Sequence, residues 1–345
     1  MDEFGSDVPE RGNGAAQRPR LEDVAARVGL STASVSLVLR GVPGPSRNTR
    51  QRVLKAAAEL GYRPNRTASA LASKRSRLLG VMIDIHSAFQ AELVEHLHTA
   101  AEEVGYDLVL STQTRTRDEN TAIDTLLAYS CEALVLIGPV APVATLAELD
   151  HKAPVVSVGR RVVGAGLDVV RSADDDGVGQ IVDHLVGLGH RSIAYVDGGK
   201  GAIATDRRRG YRNAMRHHGL DAQIRVLHGD VTEEAGNKAG RLLLHGGDLP
   251  TAVVTFNDRS AIGVLTALWQ AGVSVPGDVS VVGYDDSPLS RLTCFDLTTV
   301  SQEAEEQARH AVRAAVERLD HGRTEPREIV LAPSLVVRGT TAQPR

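Results

Sequence analysis

Ser31, Thr32, Ala33, Ser36, Leu37 and Arg40 crowd into one short stretch that offers hydroxyls, small apolar groups and a guanidinium. Shown together from one helix face, the hydroxyls can exchange hydrogen bonds with the edges of base pairs. Ala33 and Leu37 can touch only an apolar group such as a thymine methyl, and Arg40 can hold phosphate. The chemistry on offer is reading of a DNA groove, with Thr32 and Ser36 carrying direct readout.

Two short helices around a tight turn would position that face. Leu21, Val24, Ala25 and Val28 recur at helical spacing, and Gly29 supplies the permissive backbone that a sharp turn needs. Ser31 can cap a second helix whose inward residues are Val35, Val38 and Leu39. Ala25 is small enough for two helices to cross closely, as in a helix-turn-helix. A turn-rich loop, GVPGP, follows, then Ser46 as a cap and a third helix over 47–60 with Val53, Ala57 and Leu60 on one face. An ordinary amphipathic helix pair would satisfy the same spacing, so the pattern needs support from charge.

Residues 18–77 hold 13 Lys and Arg against 3 Asp and Glu, a net of +10, whereas the whole chain is −4 and the remainder therefore −14. A cationic segment confined to the helix-turn-helix region attracts the phosphate backbone through counterion release, and an acidic body keeps the rest of the surface off DNA. Arg47 and Arg66 extend the phosphate-holding set. After Tyr62, Pro64 blocks helix continuation, and residues 65–73 (NRTASALAS) read as an interdomain linker or as a short helix that orders on DNA. In the second reading Leu71 is an apolar wedge in the minor groove.

The body has its own rhythm. From Leu78 onward, apolar runs over 79–85, 108–111, 133–137, 155–158, 193–196, 226–228, 252–256 and 279–283 alternate with amphipathic stretches, as in parallel sheets covered on both faces. Two such units split near Arg160 would leave a cleft at the carboxyl ends of their strands. Residues 1–17 are polar, Gly-rich and without periodicity, and are expected to be a disordered extension rather than a signal peptide. No apolar run approaches the roughly 18 residues of a membrane helix, so neither a membrane partner nor any compartment but the cytoplasm is expected. Two cysteines, Cys131 and Cys294, argue against a disulfide framework or a thiolate metal site.

Signals for an enzyme are weak. Gly177-Val178-Gly179 lacks the third glycine of a dinucleotide fingerprint, and Gly198-Gly199-Lys200-Gly201 lacks the spacing and hydroxyl residue of a phosphate loop. They read as a helix start and a loop. His217-His218 has no metal-ligand spacing, and the carboxylates of residues 174–176 and 285–286 suit capping or hydroxyl binding better than acid–base work. No cofactor or metal is expected. An α/β enzyme or a solute-binding module with an appended DNA-binding head is the alternative.

From about Arg20 to Thr341 the chain resembles the LacI/GalR family of bacterial transcription regulators. The resemblance is carried by DVA…GLSTASVSLVL, YRPNRTASALAS, HLVGLGHRSIAYVDG, RRRGYRNAM, PTAVVTFND, VPGDVSVVGYDD and LTTVSQ. It implies an all-α helix-turn-helix domain over 18–62, a hinge helix over 63–77, and a body over 78–341 that senses an effector and dimerises, with a tail at 342–345. The body would be similar to periplasmic sugar-binding proteins, with two doubly wound parallel-sheet subdomains and the chain crossing back near 290–325. The implied activity is that of a homodimeric regulator, read as a repressor, on pseudopalindromic double-stranded operator DNA.

The resemblance extends the DNA-binding set to Leu21, Ser31, Ser34, Ser46, Thr49, Tyr62, Asn65, Ala68 and Ala72. It places effector-binding roles on Arg207, a few residues before Gly210-Tyr211, on Asn257 after the strand ending at Phe256, and on Asp285 of GYDD. Ser87 and Phe89 are nominated in the amino-terminal lobe. Their guanidinium, amide and carboxylate groups suit a sugar-like ligand. The chain departs from the family at Val231 and Ala304, where relatives that bind hexoses often carry aromatics, at Gly159, where many carry a cleft aspartate, and at Phe295-Asp296. The expected mechanism is a population shift. Effector closes or locks the lobes, alters a dimer interface near 78–103, and thereby changes whether the hinge folds on DNA.

Overall fold

The computed structural model describes residues 19–39, 42–62 and 75–345. The extension expected over 1–17, Arg40, and the hinge positions Asn65, Arg66, Ala68, Leu71 and Ala72 lie outside the described residues. The chain divides into two compact units, Met1–Ser76 and Arg77–Arg345.

Three helices form the described part of the first unit: α1 (Leu21–Val28), α2 (Thr32–Leu39) and α3 (Arg47–Leu60). Gly29 ends α1 at φ 66°, a left-handed conformation in which its N–H and that of Leu30 return to the carbonyls of Ala26 and Ala25. Ser31 Oγ accepts from Ser34 N at 3.2 Å, and Ser46 Oγ accepts from Thr49 N at 3.2 Å, so both expected caps form. Each such cap is worth about 1 kcal/mol. Val24, Val35 and Val53, one from each helix, are fully buried together with Ala25, Val38, Ala56 and Ala57. Arg52 of α3 donates through Nη2 to Val28 O at 2.7 Å, satisfying a carbonyl at the end of α1.

The second unit opens with β1 (Leu78–Asp84), α4 (Ala88–Glu103), β2 (Asp107–Gln113), α5 (Glu119–Ala128), β3 (Ala133–Ile137), α6 (Val143–Asp150), β4 (Val155–Val158) and β5 (Asp168–Ser172). It continues through α7 (Asp174–Gly187), β6 (Ile193–Val196), α8 (Ala202–His217), β7 (Arg225–Leu227), α9 (Glu233–His245), β8 (Ala252–Thr255), α10 (Asp258–Gln270) and β9 (Ser280–Val282). The last elements are β10 (Thr299–Ser301), α11 (Ala304–Asp320), β11 (Glu328–Leu331) and β12 (Ser334–Val336). One parallel sheet runs β11-β5-β4-β3-β1-β2 and a second β7-β6-β8-β9, while β10 and β12 pair antiparallel.

Both sheets are covered on two faces, as their continuous apolar strands require. Leu79, Val81 and Ile83 of β1 pack with α4 and α11, whereas Met82 joins Leu134 and Leu136 of β3 against α5 and α6. In the second lobe α9 and α10 approach so closely that a Cβ at Gly236 would lie 2.1 Å from Ser260 O and one at Gly263 2.0 Å from Glu233 O. Only glycine fits at this crossing.

The lobe boundary falls later than the Arg160 expected from the strand rhythm. β5 pairs with β4 and β11, so the first lobe runs to Ser172 before the chain crosses. The apolar run of β5 was short because Asp168 opens it. That carboxylate is buried, accepts from both terminal nitrogens of Arg323 at 2.9 Å, and takes Arg327 N at 2.8 Å. The same contacts clamp β11 to the sheet edge. The chain returns to the first lobe between β10 and α11 and crosses once more between β11 and β12.

The other weak motifs are structural. Gly177 lies inside α7, where a Cβ would meet Tyr284 Oη at 2.4 Å, and residues 198–201 form the loop before α8. Asp174, Asp175 and Asp176 make the first turn of α7, and His218 at the end of α8 pairs with Asp183 at 2.6 Å. Among the described residues no helix is long and apolar enough to cross a membrane, and no three His, Cys, Asp or Glu are grouped to hold a metal ion.

Candidate functional site

In the first unit, the beginning of α2 is the outward element. Ser31, Thr32 and Ala33 are exposed, while Ser34, Ser36 and Leu37 lie half-buried along the same helix. Ser31 Oγ and Ser34 Oγ sit 2.9 Å apart, which fixes the first-turn hydroxyls as a pair. Ser46 is exposed and its hydroxyl lies 2.9 Å from Thr49 Oγ1, at the start of α3 beside exposed Arg47. Leu21 and Tyr62 pack against the apolar core of the unit, so each also has a structural task.

In the second unit, a cleft of about 280 Å³ opens at the carboxyl ends of β1, β3, β4, β6, β8 and β9, where the strand order of each sheet reverses. All five residues expected to bind the effector line it: Ser87, Phe89, Arg207, Asn257 and Asp285. Arg207 is its anchor, with its side chain only 3% exposed. Its Nε donates to Asp174 Oδ1 at 2.8 Å, its Nη1 to Phe256 O at 2.6 Å, and the same Nη1 lies 3.4 Å from Asp285 Oδ1. The guanidinium carbon is 3.6 Å from the centre of the Tyr284 ring and 4.7 Å from that of Phe256. Two carboxylates and two rings therefore fix a rigid donor fork, and Nη2 has no acceptor among the described residues. Of its neighbours, Arg208 pairs with Asp197, and Arg209 pairs with Asp175 and Asp206 at the surface.

Asp285 is held at φ 119°, a conformation that favours glycine, and accepts from Gln302 Nε2 at 2.6 Å. Burial pushes its carboxyl up to about 6, against the opposing pull of Arg207. Beneath it, Asp258 accepts from Thr299 Oγ1 at 2.6 Å and Ser287 N at 2.7 Å. Burial, with the charge of Asp285 adding to it, pushes the Asp258 carboxyl up to about 8. For Arg207 burial opposes the charge, but Asp174 and Asp285 more than offset it and hold the guanidinium protonated.

The remaining expected residues are partly committed to the scaffold. Asn257 caps α10, its Oδ1 accepting from Ser260 N at 2.9 Å and its Nδ2 donating to Val231 O at 3.1 Å. One amide hydrogen is left for a ligand. Ser87 caps α4 by accepting from Gln90 N at 3.3 Å, and Phe89 is mostly packed in the core of the first lobe. The structure adds Asp84, Gln90, Arg160, Lys200, Arg259 and Gln302 to the cleft. Gln302 ends the quoted LTTVSQ, which marked it without giving it a task, and Lys200 sits in the loop read only as an incomplete phosphate motif. In the sequence Arg160 marks only the expected lobe boundary.

The model for bacterial regulatory proteins of the lacI family matches residues 20–65, and that for the periplasmic binding protein-like domain matches residues 182–341. The chain is 30% identical to the HTH-type transcriptional regulator AscG of Escherichia coli over 90% of its own length and 98% of that protein. The crystal structure of the lac repressor dimer bound to operator and an anti-inducer is similar at a TM-score of 0.80, with 28% identity, over 94% of this chain and all of that one. The transcriptional regulator CelR–cellobiose complex is similar at a TM-score of 0.68, with 30% identity, again over 94% of this chain and all of that one. With its helix-turn-helix head and two-lobed body, the chain belongs to the lacI family of bacterial regulatory proteins.

Proposed function

We propose that this HTH-type transcriptional regulator acts in the cytoplasm as a homodimeric repressor, and that a sugar-class molecule in the cleft sets its affinity for operator DNA. The observation that carries the reading is Arg207, a buried guanidinium held between Asp174 and Asp285 at the floor of an interlobe cleft. Such a fork costs desolvation and gives little stability in return, which fits a group kept for recognition. The lac repressor structure bound to operator and the CelR complex with cellobiose support both halves of the reading.

Readout is assigned to Thr32 and Ser36, with Ala33 and Leu37 against apolar base edges and Arg47 on phosphate. A single head covers one half-site, so a pseudopalindrome requires two copies related by a two-fold axis. The exposed face of α4, with Ala91, Glu95, His98 and Glu102, lies in the segment assigned to the dimer contact. Effector acts by favouring one lobe arrangement, and linkage then requires effector and DNA to change each other's affinity by the same factor.

The test is selection of a binding site from random duplexes by the full-length protein, followed by titration of that site with and without candidate sugars at fixed salt. A palindromic site whose affinity shifts at least fivefold with one sugar is the expected result. Equal affinity for the selected site and for random duplex, in every condition, overturns the assignment.

A further inference from the structure

We propose that the molecule this cleft takes is an anion, a polyhydroxylated compound whose carboxylate or phosphate group is held between Arg160 of the first lobe and Lys200 of the second. The inference rests on the cleft being the effector site and adds the charge of the ligand. The cations lining the cleft fall into two kinds. Arg207 is matched by Asp174 and Asp285, and Arg259 by both oxygens of Glu233 at 2.6 and 2.8 Å. Arg160 donates through Nη1 to two backbone carbonyls, Pro139 O at 3.0 Å and Ala141 O at 2.5 Å, which fix the side chain but leave its charge unmatched. Lys200 is exposed, and neither it nor Arg160 has an ion-pair partner among the described residues.

These two cations belong to loops that meet. A Cβ on Gly159 would lie 3.6 Å from Ile203 Cδ1, so the end of β4 that carries Arg160 abuts the first turn of α8, three residues beyond Lys200. Gly159 brings no side chain of its own to the gap, and α8 starts there at Gly201 without a side-chain cap. The cleft carboxylates already have donors of their own. Asp285 is engaged by Arg207 and Gln302, and Asp84, which lines the same cleft, accepts from His86 N at 2.9 Å. Two uncompensated cations on adjoining loops of opposite lobes resist closure. An anion between them reverses the sign of that interaction, which makes ligand charge the trigger for drawing the lobes together.

The experiment is calorimetric titration of the full-length protein at low salt with matched probes: glucose and galactose, their uronates, and their 6-phosphates. At least one charged probe binds roughly tenfold or more tightly than its neutral parent, as expected for a charge-assisted contact in a partly desolvated cleft. The uronate and phosphate arms decide which anionic group fits. Because Lys200 is exposed, Lys200→Gln leaves the fold intact, and it weakens the charged probe several-fold while changing a neutral one by less than twofold. Arg160→Gln does the same, with thermal melting to separate loss of the carbonyl contacts from loss of charge. A neutral hexose that binds as tightly as its acid and phosphate, or a Lys200→Gln protein that binds the charged probe unchanged, overturns this proposal alone. Absence of binding by every probe at millimolar concentration overturns it together with the sugar-class reading.

Discussion

Arg207 Nε and Asp174 Oδ1 meet at 2.8 Å with both side chains at most 5% exposed, so a charge pair is sealed inside the second lobe immediately beneath the cleft. Removing one member leaves the other buried and uncompensated, an effect of about 3–5 kcal/mol. Arg207→Ala is therefore expected to lose stability on that scale in a urea melt. Arg207→Lys keeps the charge but not the fork that serves Asp174, Phe256 and Asp285 together, and it is expected to fold while losing the response to effector. A lysine variant that responds like the wild type shows that the fork is scaffold and not recognition.

The carboxyls under the cleft give stability an uncommon pH dependence. Burial holds Asp258 up to about 8 and Asp285 up to about 6, well above the ordinary carboxylate range near 4. Between those values and about 4 the native state binds protons that the unfolded chain has released, so the contribution of these groups falls as pH rises. Asp258→Asn preserves the contacts, because an amide oxygen can still accept from Ser287 N and its N–H₂ can donate to Thr299 Oγ1. The variant is expected to be more stable than wild type at pH 8.5 by on the order of 1 kcal/mol or more, with the advantage gone near pH 4.5. An unchanged difference across that range, read from paired thermal melts, sinks the argument.

These residues also show where sequence legibility ends. The helices of the head were readable because caps, Gly29 and a 3.6-residue period all agree, and Val24, Val35 and Val53 carry one core. The strands of both sheets were readable wherever the apolar run was continuous. β5 was not, because Asp168 is a buried ion whose partners Arg323 and Arg327 lie some 155 residues away, beyond any local window. The cleft divides likewise. Arg207, Asn257 and Asp285 follow from matching a family pattern, whereas Arg160 and Lys200 acquire meaning only when two loops far apart in sequence are seen to abut.

The end of the chain is fastened by histidines. His190 Nε2 donates to Ala342 O at 2.8 Å and its Nδ1 lies 2.9 Å from Thr251 Oγ1, while His184 Nε2 is 3.1 Å from Thr341 Oγ1. Burial holds both rings below the ordinary histidine value of about 6.5. Below that pH the unfolded chain takes up protons that the native state refuses, so this contribution to stability declines as pH falls from about 6.5 and levels off beneath the folded values. His190→Gln keeps a donor and an acceptor in place, and relative to wild type it is expected to flatten the melting temperature between pH 6.5 and 5. Parallel profiles for the two proteins refute the role of this ring.

One further ion pair spans the lobes and makes the last prediction. Arg291 donates through Nη1 to Glu92 Oε1 of α4 at 2.8 Å and through Nη2 to Asp286 O at 2.7 Å, next in sequence to the cleft residue Asp285. Asp286 is tied in turn to Arg338 at 2.6 Å. The Arg291 side chain is 46% exposed, so the pair adds no more than about 1 kcal/mol to stability, and salt screens it. Its leverage is positional, because the same small energy applied across a hinge biases one lobe arrangement over another. Arg291→Gln is accordingly expected to melt within a few degrees of wild type while its effector affinity falls roughly twofold to fivefold, the ratio that such an energy allows. With a neutral sugar as the titrant, raising ionic strength is expected to weaken the wild type toward the variant and leave the variant nearly unchanged. Equal affinities in low salt show that neither the Glu92 pair nor the Arg291 contacts to Asp286 bias the lobe arrangement.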